Sequence, residues 1–245
     1  MNVIACLIKF LKKQYNKLFF PDNALRRRAW IESVLTSIPS GKSILDVGCG
    51  TQQYRRYCSH LRYLSQDFGR YDGVGDNKGL QRGDWMYGKL DYVGNAWDID
   101  EKDCSFDVIL CTEVIEHLYY PNETITELTR ILAPNGILIL TAPVCSIPHF
   151  SPYYYYNGFS EYYYREAARI NKINLEYIET NGDAFEYLGV ELRRTLGATP
   201  PVFRLPYLCF VLISIQFFKI MSLIFGNKCK YLVGGYHLIF RKPSI

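Results

Sequence analysis

Ile44-Leu45-Asp46-Val47-Gly48-Cys49-Gly50 decides the fold: an apolar strand runs into an acidic residue and then into two glycines spaced G-x-G. Where such a strand ends the chain must turn sharply. Glycine permits positive φ there and lets a ligand approach the backbone closely, because no Cβ intervenes. The stretch reads as the nucleotide-binding end of an α/β sheet, with the Asp46 carboxylate expected to face the crevice. A dinucleotide fingerprint needs a third glycine, G-x-G-x-x-G, so that a pyrophosphate can sit on the helix terminus, and Gln53 occupies that position. A pyrophosphate cofactor, and dehydrogenase chemistry with it, is disfavoured.

Working outward, residues 54–63 are expected to form the first crossover helix, leading into a short second strand, Tyr63-Leu64-Ser65-Gln66, that ends at Asp67. An acid at that strand end can accept hydrogen bonds from both hydroxyls of a ribose. Residues 69–89 are rich in Gly, Asp and Asn and read as an irregular loop. Residues 90–94 read as the third strand, ending in Asn95-Ala96-Trp97-Asp98. The block Ser105-Phe106-Asp107-Val108-Ile109-Leu110-Cys111-Thr112 is a buried parallel strand, and Glu113-Val114-Ile115-Glu116-His117-Leu118 is expected to start a helix directly after it. Leu132-Ala133-Pro134-Asn135-Gly136 reads as a turn into the fifth strand, residues 174–182 as the sixth and 235–242 as the seventh.

The run D-V-G-C-G-T from Asp46 closely resembles motif I of class I S-adenosylmethionine-dependent methyltransferases. The S-F-D-V-I-L strand, the E-V-I-E-H-L segment and the L-x-P-x-G turn look like the corresponding regions of the methyltransferase type 11 family, so the resemblance covers about residues 40–145. It implies an α/β fold: a doubly wound, mostly parallel seven-stranded sheet of Rossmann-like kind, closed by an antiparallel strand. It also implies S-adenosylmethionine as cofactor. Gly48, Cys49 and Gly50 would wrap its methionine part, Asp46 would hold its ammonium and Asp67 its ribose. Asn95 and Ala96 would meet the adenine, with Asp98 as the alternative carboxylate, and Cys111 and Thr112 at the end of the fourth strand complete the cofactor set.

Methyl transfer is an in-line displacement at a sulfonium carbon, so the enzyme chiefly positions the acceptor, excludes water and accepts a proton. On a helix, Glu113, Glu116 and His117 would stand at i, i+3 and i+4, on one face near the carboxyl ends of the strands. His117 is the first candidate base, with Glu113 or Glu116 orienting it; the plainer account is that His117 caps or packs the helix. E-x-x-E-H also resembles the metal-binding helix of ubiquinone-biosynthetic O-methyltransferases and small-RNA 2'-O-methyltransferases, but the same letters occur in methyltransferases that need no metal, and no metal is assigned. His149 is a second candidate base. It opens a tyrosine-rich stretch, Tyr153 to Tyr156 and Tyr162 to Tyr164, whose flat apolar faces with hydroxyl tips suit sugars or aromatic acceptors, or simply pack as a lid. T-A-P followed by H-F-x-P-Y and G-F-S is similar to methyltransferases of bacterial surface-polysaccharide biosynthesis, which points to a sugar or lipid-linked glycan hydroxyl as acceptor.

With 245 residues and 49% hydrophobic content, there is material for one sizeable core. Residues 23–245 are expected to form the methyltransferase domain, with a helical insertion at about 183–232 in place of the usual hairpin before the last strand. The net charge of +4 is modest, and Arg26 to Arg28 read as a solvated face, so nucleic acid is not an expected partner. The eight cysteines include no C-x-x-C pair, and no secretory leader stands out, which together indicate reduced thiols in the cytoplasm. Residues 1–22 carry Val3, Ile4, Leu7, Ile8, Leu11, Tyr15 and Leu18 at helical spacing, with Lys9, Lys12, Lys13 and Lys17 opposite. This amphipathic helix fits either a partner subunit, as in a homodimer, or an anionic membrane at its inner face. Residues 207–225 are strongly apolar but broken by Ser214, Gln216, Lys219 and Ser222, which favours a buried helix, a dimer contact or a helix half-sunk in a bilayer surface over a span. A non-catalytic cofactor-binding or assembly subunit and an RNA 2'-O-methyltransferase are the rival readings.

Overall fold

The computed structural model describes residues 17–228, 230 and 232–244. Most of the amphipathic helix read over residues 1–22 lies outside the described residues. The chain divides into two compact units, residues 27–179 with 235–245, and residues 1–26 with 180–234.

The larger unit is built on a seven-stranded sheet of β1 (Ser43–Val47), β2 (Arg62–Asp67), β3 (Tyr92–Val93), β4 (Phe106–Thr112), β5 (Leu132–Ala142), β6 (Asn174–Thr180) and β7 (Tyr236–Arg241), in the order β3-β2-β1-β4-β5-β7-β6. Strands β1 to β5 pair in parallel, and β7 runs antiparallel to β5. This is the expected α/β architecture. Successive side chains on a strand alternate faces. Ile44, Val108, Leu110 and Ile139 therefore share one face and pack with Ile31 and Leu35 of helix α1 (Asn23–Ser37) in a single buried cluster. Leu45, Ile109, Leu138 and Leu140, of opposite parity, are wholly buried too. Both faces are thus covered, as a parallel sheet requires. Helix α2 (Pro121–Ile131) packs against β5 and buries Ile125, Leu128 and Ile131, three residues apart each time, which sets an apolar stripe on one side. Pro121 opens it at a position where the missing N–H costs nothing. Helix α3 (Glu161–Asn171) starts on the Ser160 cap and ends on Lys172 in the left-handed conformation.

Strand order reverses between β1 and β4, because β2 continues the sheet to one side and β4 to the other. Ligands bind in open α/β sheets at the crevice such a switch point leaves beyond the carboxyl ends of the strands.

Three local expectations change. Residues 54–63 form only a short 3-10 turn, Arg55–Tyr57, because the preceding loop takes positive φ at Gly48, Gly50 and Gln52 (φ 56) and leaves few residues before β2. The third strand is two residues long. The turn at residues 132–136 lies inside β5 as an irregularity: Leu132 pairs with Phe106 and Ile137 with Val108, and Asn135 takes φ 60.

In the smaller unit, α4 (Ala184–Arg194) is capped by Asp183, whose Oδ1 accepts from the N–H groups of Phe185 (2.8 Å) and Glu186 (3.1 Å). The other Asp183 oxygen accepts from the Ser222 hydroxyl of α5 (Pro201–Phe225) at 2.6 Å. Phe19, Phe20, Val211 and Ile215 form this unit's core, and Arg26 is ion-paired with Glu186. The residues of the expected insertion form the greater part of this unit.

Candidate active site

A cavity of ≈ 480 Å³ opens in the larger unit at the carboxyl ends of β1, β2 and β4. Its floor is the glycine loop. Gly48 and Gly50 have φ of 63° and 51°, and each is crowded: a Cβ on Gly48 would lie 2.4 Å from Val114 Cγ2, and one on Gly50 would lie 2.7 Å from the Trp85 ring. The loop is tied to the end of β2, with Cys49 N–H donating to the Gln66 carbonyl (3.0 Å) and Gly50 N–H to Asp67 Oδ2 (3.0 Å). Gly50→Ala is expected to lower stability by about 1–2 kcal/mol through the left-handed backbone alone, and to displace Trp85; urea unfolding and tryptophan fluorescence measure the two effects.

Asp67 is 5% exposed and lines the cavity. Its Oδ1 accepts from Gly69 N–H at 3.1 Å. Burial pushes its pKa up, opposed by these backbone donors. Each oxygen keeps a lone pair for a ligand hydroxyl. Asn95, Ala96 and Trp97 form one wall beyond β3, and Thr112 and Glu113 continue the lining from β4. From α1 comes Arg27, whose guanidinium is ion-paired with Glu113 at 2.8 Å and whose Nε is buried without a hydrogen-bond partner. Tyr71, Trp85, Tyr87, Tyr119, Phe150, Tyr153 and Tyr155 complete an aromatic rim.

Beside the cavity, Glu116, His117 and His149 come together, with one ligand-type atom from each within 4.8 Å of the others. Glu116 is fully buried and its two oxygens have no hydrogen-bond partner. Its Oε1 lies 3.7 Å from His117 Nε2 and 3.9 Å from His149 Nε2. His117 Nδ1 is bonded to the Tyr153 carbonyl, and His149 Nδ1 to the Ile147 carbonyl at 2.9 Å. A carbonyl only accepts, so each Nδ1 carries a proton, and each Nε2 faces the carboxyl group. Burial drives the Glu116 pKa well up and, with His149 alongside, brings His117 down to about 3.

A family model described as a methyltransferase domain matches residues 22–185 of the chain. The chain belongs to that family. Norajmaline N-methyltransferase of Rauvolfia serpentina is 28% identical over 108 residues, covering 40% of this chain and 35% of its own. The mitochondrial ubiquinone biosynthesis O-methyltransferase of Schizosaccharomyces pombe is 27% identical over 106 residues, covering 42% and 38%. The chain thus spans little more than a third of the length of these curated relatives. Among solved structures, an S-adenosylmethionine-dependent methyltransferase from Archaeoglobus fulgidus aligns with TM-score 0.55 at 12% identity, covering 94% of this chain and 99% of that one. Phosphoethanolamine N-methyltransferase 2 of Haemonchus contortus, in complex with S-adenosylmethionine, aligns with TM-score 0.53 at 16% identity, covering 90% and 53%. At such identities these structures speak for the fold.

The residues present fit S-adenosylmethionine, the cofactor bound in the Haemonchus contortus structure. The glycine cradle leaves no room for side chains where the methionine part would lie. Asp67 has acceptors for ribose hydroxyls, and the orphaned Arg27 Nε offers a buried donor for a carboxylate.

Of the expected site residues, the fold brings Gly48, Cys49, Gly50, Asp67, Asn95, Ala96, Thr112, Glu113 and His117 to the cavity. Asp46 is a correction. It shares the face of Ile44 by strand parity, so its side chain points into the layer under α1, where it is 1% exposed and accepts the Tyr63 hydroxyl at 2.7 Å. Burial pushes its pKa up to about 7. Asp98 is exposed outside the cavity, and Cys111 is wholly buried behind it as a small apolar residue. His149 does not line the cavity and meets Glu116 instead. The helix expected to align Glu113, Glu116 and His117 is a second correction. Glu113 takes φ 55, a 3-10 turn covers Ile115–His117, and Glu113 turns away from Glu116 and His117, which face each other. Glu113 accepts from the Thr141 hydroxyl at 3.1 Å while its other oxygen holds Arg27.

Arg27, Gln66, Trp85 and Tyr87 were not expected at the site. For Arg27 a signal exists: it stands four and eight residues before Ile31 and Leu35, on the buried stripe of α1 rather than its solvated side. Trp85 and Tyr87 reach the site from an irregular loop, which carries no periodicity to place them.

Proposed function

We propose that this methyltransferase acts on a hydroxyl of a sugar or glycan-type acceptor. The observation that carries the reading is the aromatic rim, rich in tyrosine, over the same cavity that holds the glycine loop, with a proton-accepting cluster against its wall. Tyrosine and tryptophan faces suit the apolar faces of a pyranose, and Arg82 and Asp84 on the rim can bond its hydroxyls. Bound S-adenosylmethionine supplies an electrophilic methyl group on a sulfonium. Gly48 to Gly50 and Arg27 hold its methionine part, Asp67 its ribose, and Asn95, Ala96 and Trp97 its base. The proton released by the acceptor passes to the cluster of His117, His149 and Glu116. His117 presents its ring to the cavity, while its Nε2 is enclosed beside Glu116, so the three side chains act as a set rather than one as an isolated base.

Arg27→Met is expected to weaken S-adenosylhomocysteine binding about 10-fold or more, a lost charge-assisted contact being worth upwards of ~1.4 kcal/mol; calorimetric titration checks it, with a melting curve to confirm folding. The function itself is tested by incubating the protein with S-adenosylmethionine and a panel of sugar nucleotides and glycans, following transfer by mass spectrometry. Methylated hydroxyl product, reduced in His149→Ala with cofactor affinity unchanged, supports the reading. Amine methylation alone sinks it. Cofactor binding without turnover on any acceptor returns the non-catalytic subunit. RNA methylation is less favoured, because the unit that carries the cavity has 17 basic and 20 acidic residues.

A second reading of the cluster has a specific observation behind it. One carboxylate oxygen and two imidazole Nε2 atoms converge, with both Nδ1 protons pinned on carbonyls, the orientation that ligating histidines take. A divalent cation retained at one per chain after purification, and lost in Glu116→Gln, would favour it over the proton-accepting role.

A further inference from the structure

Helix α5 carries a long apolar face that nothing among the described residues covers. Phe210, Ile213, Phe217, Ile220, Leu223 and Ile224 are all exposed, Ile213 at 72% and Leu223 at 88%. At ~100° per residue they fall within an arc of roughly 140°, on a helix about 37 Å long. No Asp, Glu, Lys, Arg or His falls in that arc, which also holds Cys209 and Gln216. The opposite side holds Val211 and Ile215, buried on Phe19 and Phe20. Solitary surface hydrophobics need no explanation, but a continuous patch of this length marks a binding surface.

By length and composition α5 could cross a membrane, and its most apolar 18-residue stretch is only 11% buried. A helix committed to protein along one side cannot be ringed by lipid, whereas it can lie in the bilayer interface with its other side immersed. The charge of the unit identifies which surface. The described residues of this unit include 8 basic and 4 acidic ones, a net +4, while the other unit is at −3, so the positive charge is gathered where the apolar helix is. Arg193, Arg194, Arg204 and Lys228 are among them. An isologous contact with a second copy through this face would bring two positively charged units together, which repulsion opposes.

We propose that α5 docks the protein on an anionic phospholipid bilayer, lying in the plane of the interface with Phe210, Ile213, Phe217, Ile220, Leu223 and Ile224 immersed. The immersed side chains supply the affinity and the cations of the same unit select the anionic leaflet.

The test uses the full-length protein and flotation with two sets of vesicles, pure phosphatidylcholine and phosphatidylcholine with about one third phosphatidylglycerol. Binding is expected to the anionic vesicles, at least 10-fold stronger than to the neutral ones, and to weaken with salt. Ile213→Glu with Leu223→Glu should reduce binding at least 10-fold. Both residues are exposed, so an unchanged melting temperature and unchanged S-adenosylmethionine affinity will show that the fold survives. Arg193→Gln with Arg204→Gln and Lys228→Gln should remove the preference for the anionic vesicles while leaving the apolar face intact. Failure of the folded wild-type protein to float with either vesicle overturns the proposal. So does a dimer that Leu223→Glu dissociates, which would assign the face to a second copy, or resistance of the bound protein to alkaline carbonate extraction, which would make α5 a span.

Discussion

Asp67→Ala is expected to reduce affinity for S-adenosylmethionine at least 100-fold while the sheet stays folded. The carboxylate has two tasks in the structure. It accepts from Gly50 N–H at 3.0 Å and from Gly69 N–H at 3.1 Å, which holds the glycine loop against the end of β2, and its remaining lone pairs face the cavity. Hydrogen bonds to a charged group are worth roughly 1.5–3 kcal/mol each, so removing the ribose contacts and the loop tether together exceeds the ~2.7 kcal/mol that a 100-fold change requires. Asp67→Asn keeps one acceptor oxygen and should fall between wild type and the alanine variant. Titration calorimetry with S-adenosylmethionine reads the series, and an affinity for Asp67→Ala within threefold of wild type would remove Asp67 from the cofactor site.

Asp46→Asn is expected to stabilise the protein at neutral and alkaline pH and to flatten its stability profile. Burial raises the Asp46 pKa from the ordinary 3.8 to about 7, against the hydrogen bond from Tyr63. The folded state therefore binds this proton more tightly than the unfolded chain. The native state loses stability as pH rises from about 4 to about 7, and above that range the loss is complete. At ~1.36 kcal/mol per pKa unit the loss approaches roughly 4 kcal/mol, most of it falling above pH 5. Asparagine carries no such charge and keeps an amide oxygen for the Tyr63 hydroxyl. Urea denaturation of both proteins at pH 5 and pH 8 measures the difference: the gap between variant and wild type should widen by roughly 2–3 kcal/mol at the higher pH. Asp67 and Tyr63 are present in both proteins and cancel. Parallel profiles would mean that Asp46 is ionised throughout.

Asp46 and Arg27 show why some of the site was legible in the chain and some was not. The glycines at 48 and 50 and the acid at 67 are read by local rules, because a sharp turn at a strand end and an acceptor at the next strand end are demands of the backbone itself. Strand parity is local too, and it places Asp46 with Ile44 under α1 rather than in the crevice. Arg27 carries the i, i+4 relation to Ile31 and Leu35, but its triple-arginine setting resembles any solvated helix face. The E-V-I-E-H run has helical letters, yet Glu113 takes a left-handed conformation, with its N–H bonded to the Thr141 carbonyl of the neighbouring strand at 2.8 Å.

By itself the sequence determined the α/β class, the strands, the turn at Gly48 to Gly50 and the acid that follows it, since each rests on periodicity or on backbone freedom within a few residues. Only the tertiary structure decided that Glu113 meets Arg27 across 86 positions, that Glu116 meets His149, and that Trp85 covers Gly50. Those meetings follow from strand order and from loops without a repeat, and side chains far apart in the chain are brought together by the burial of many other residues rather than by any preference of their own.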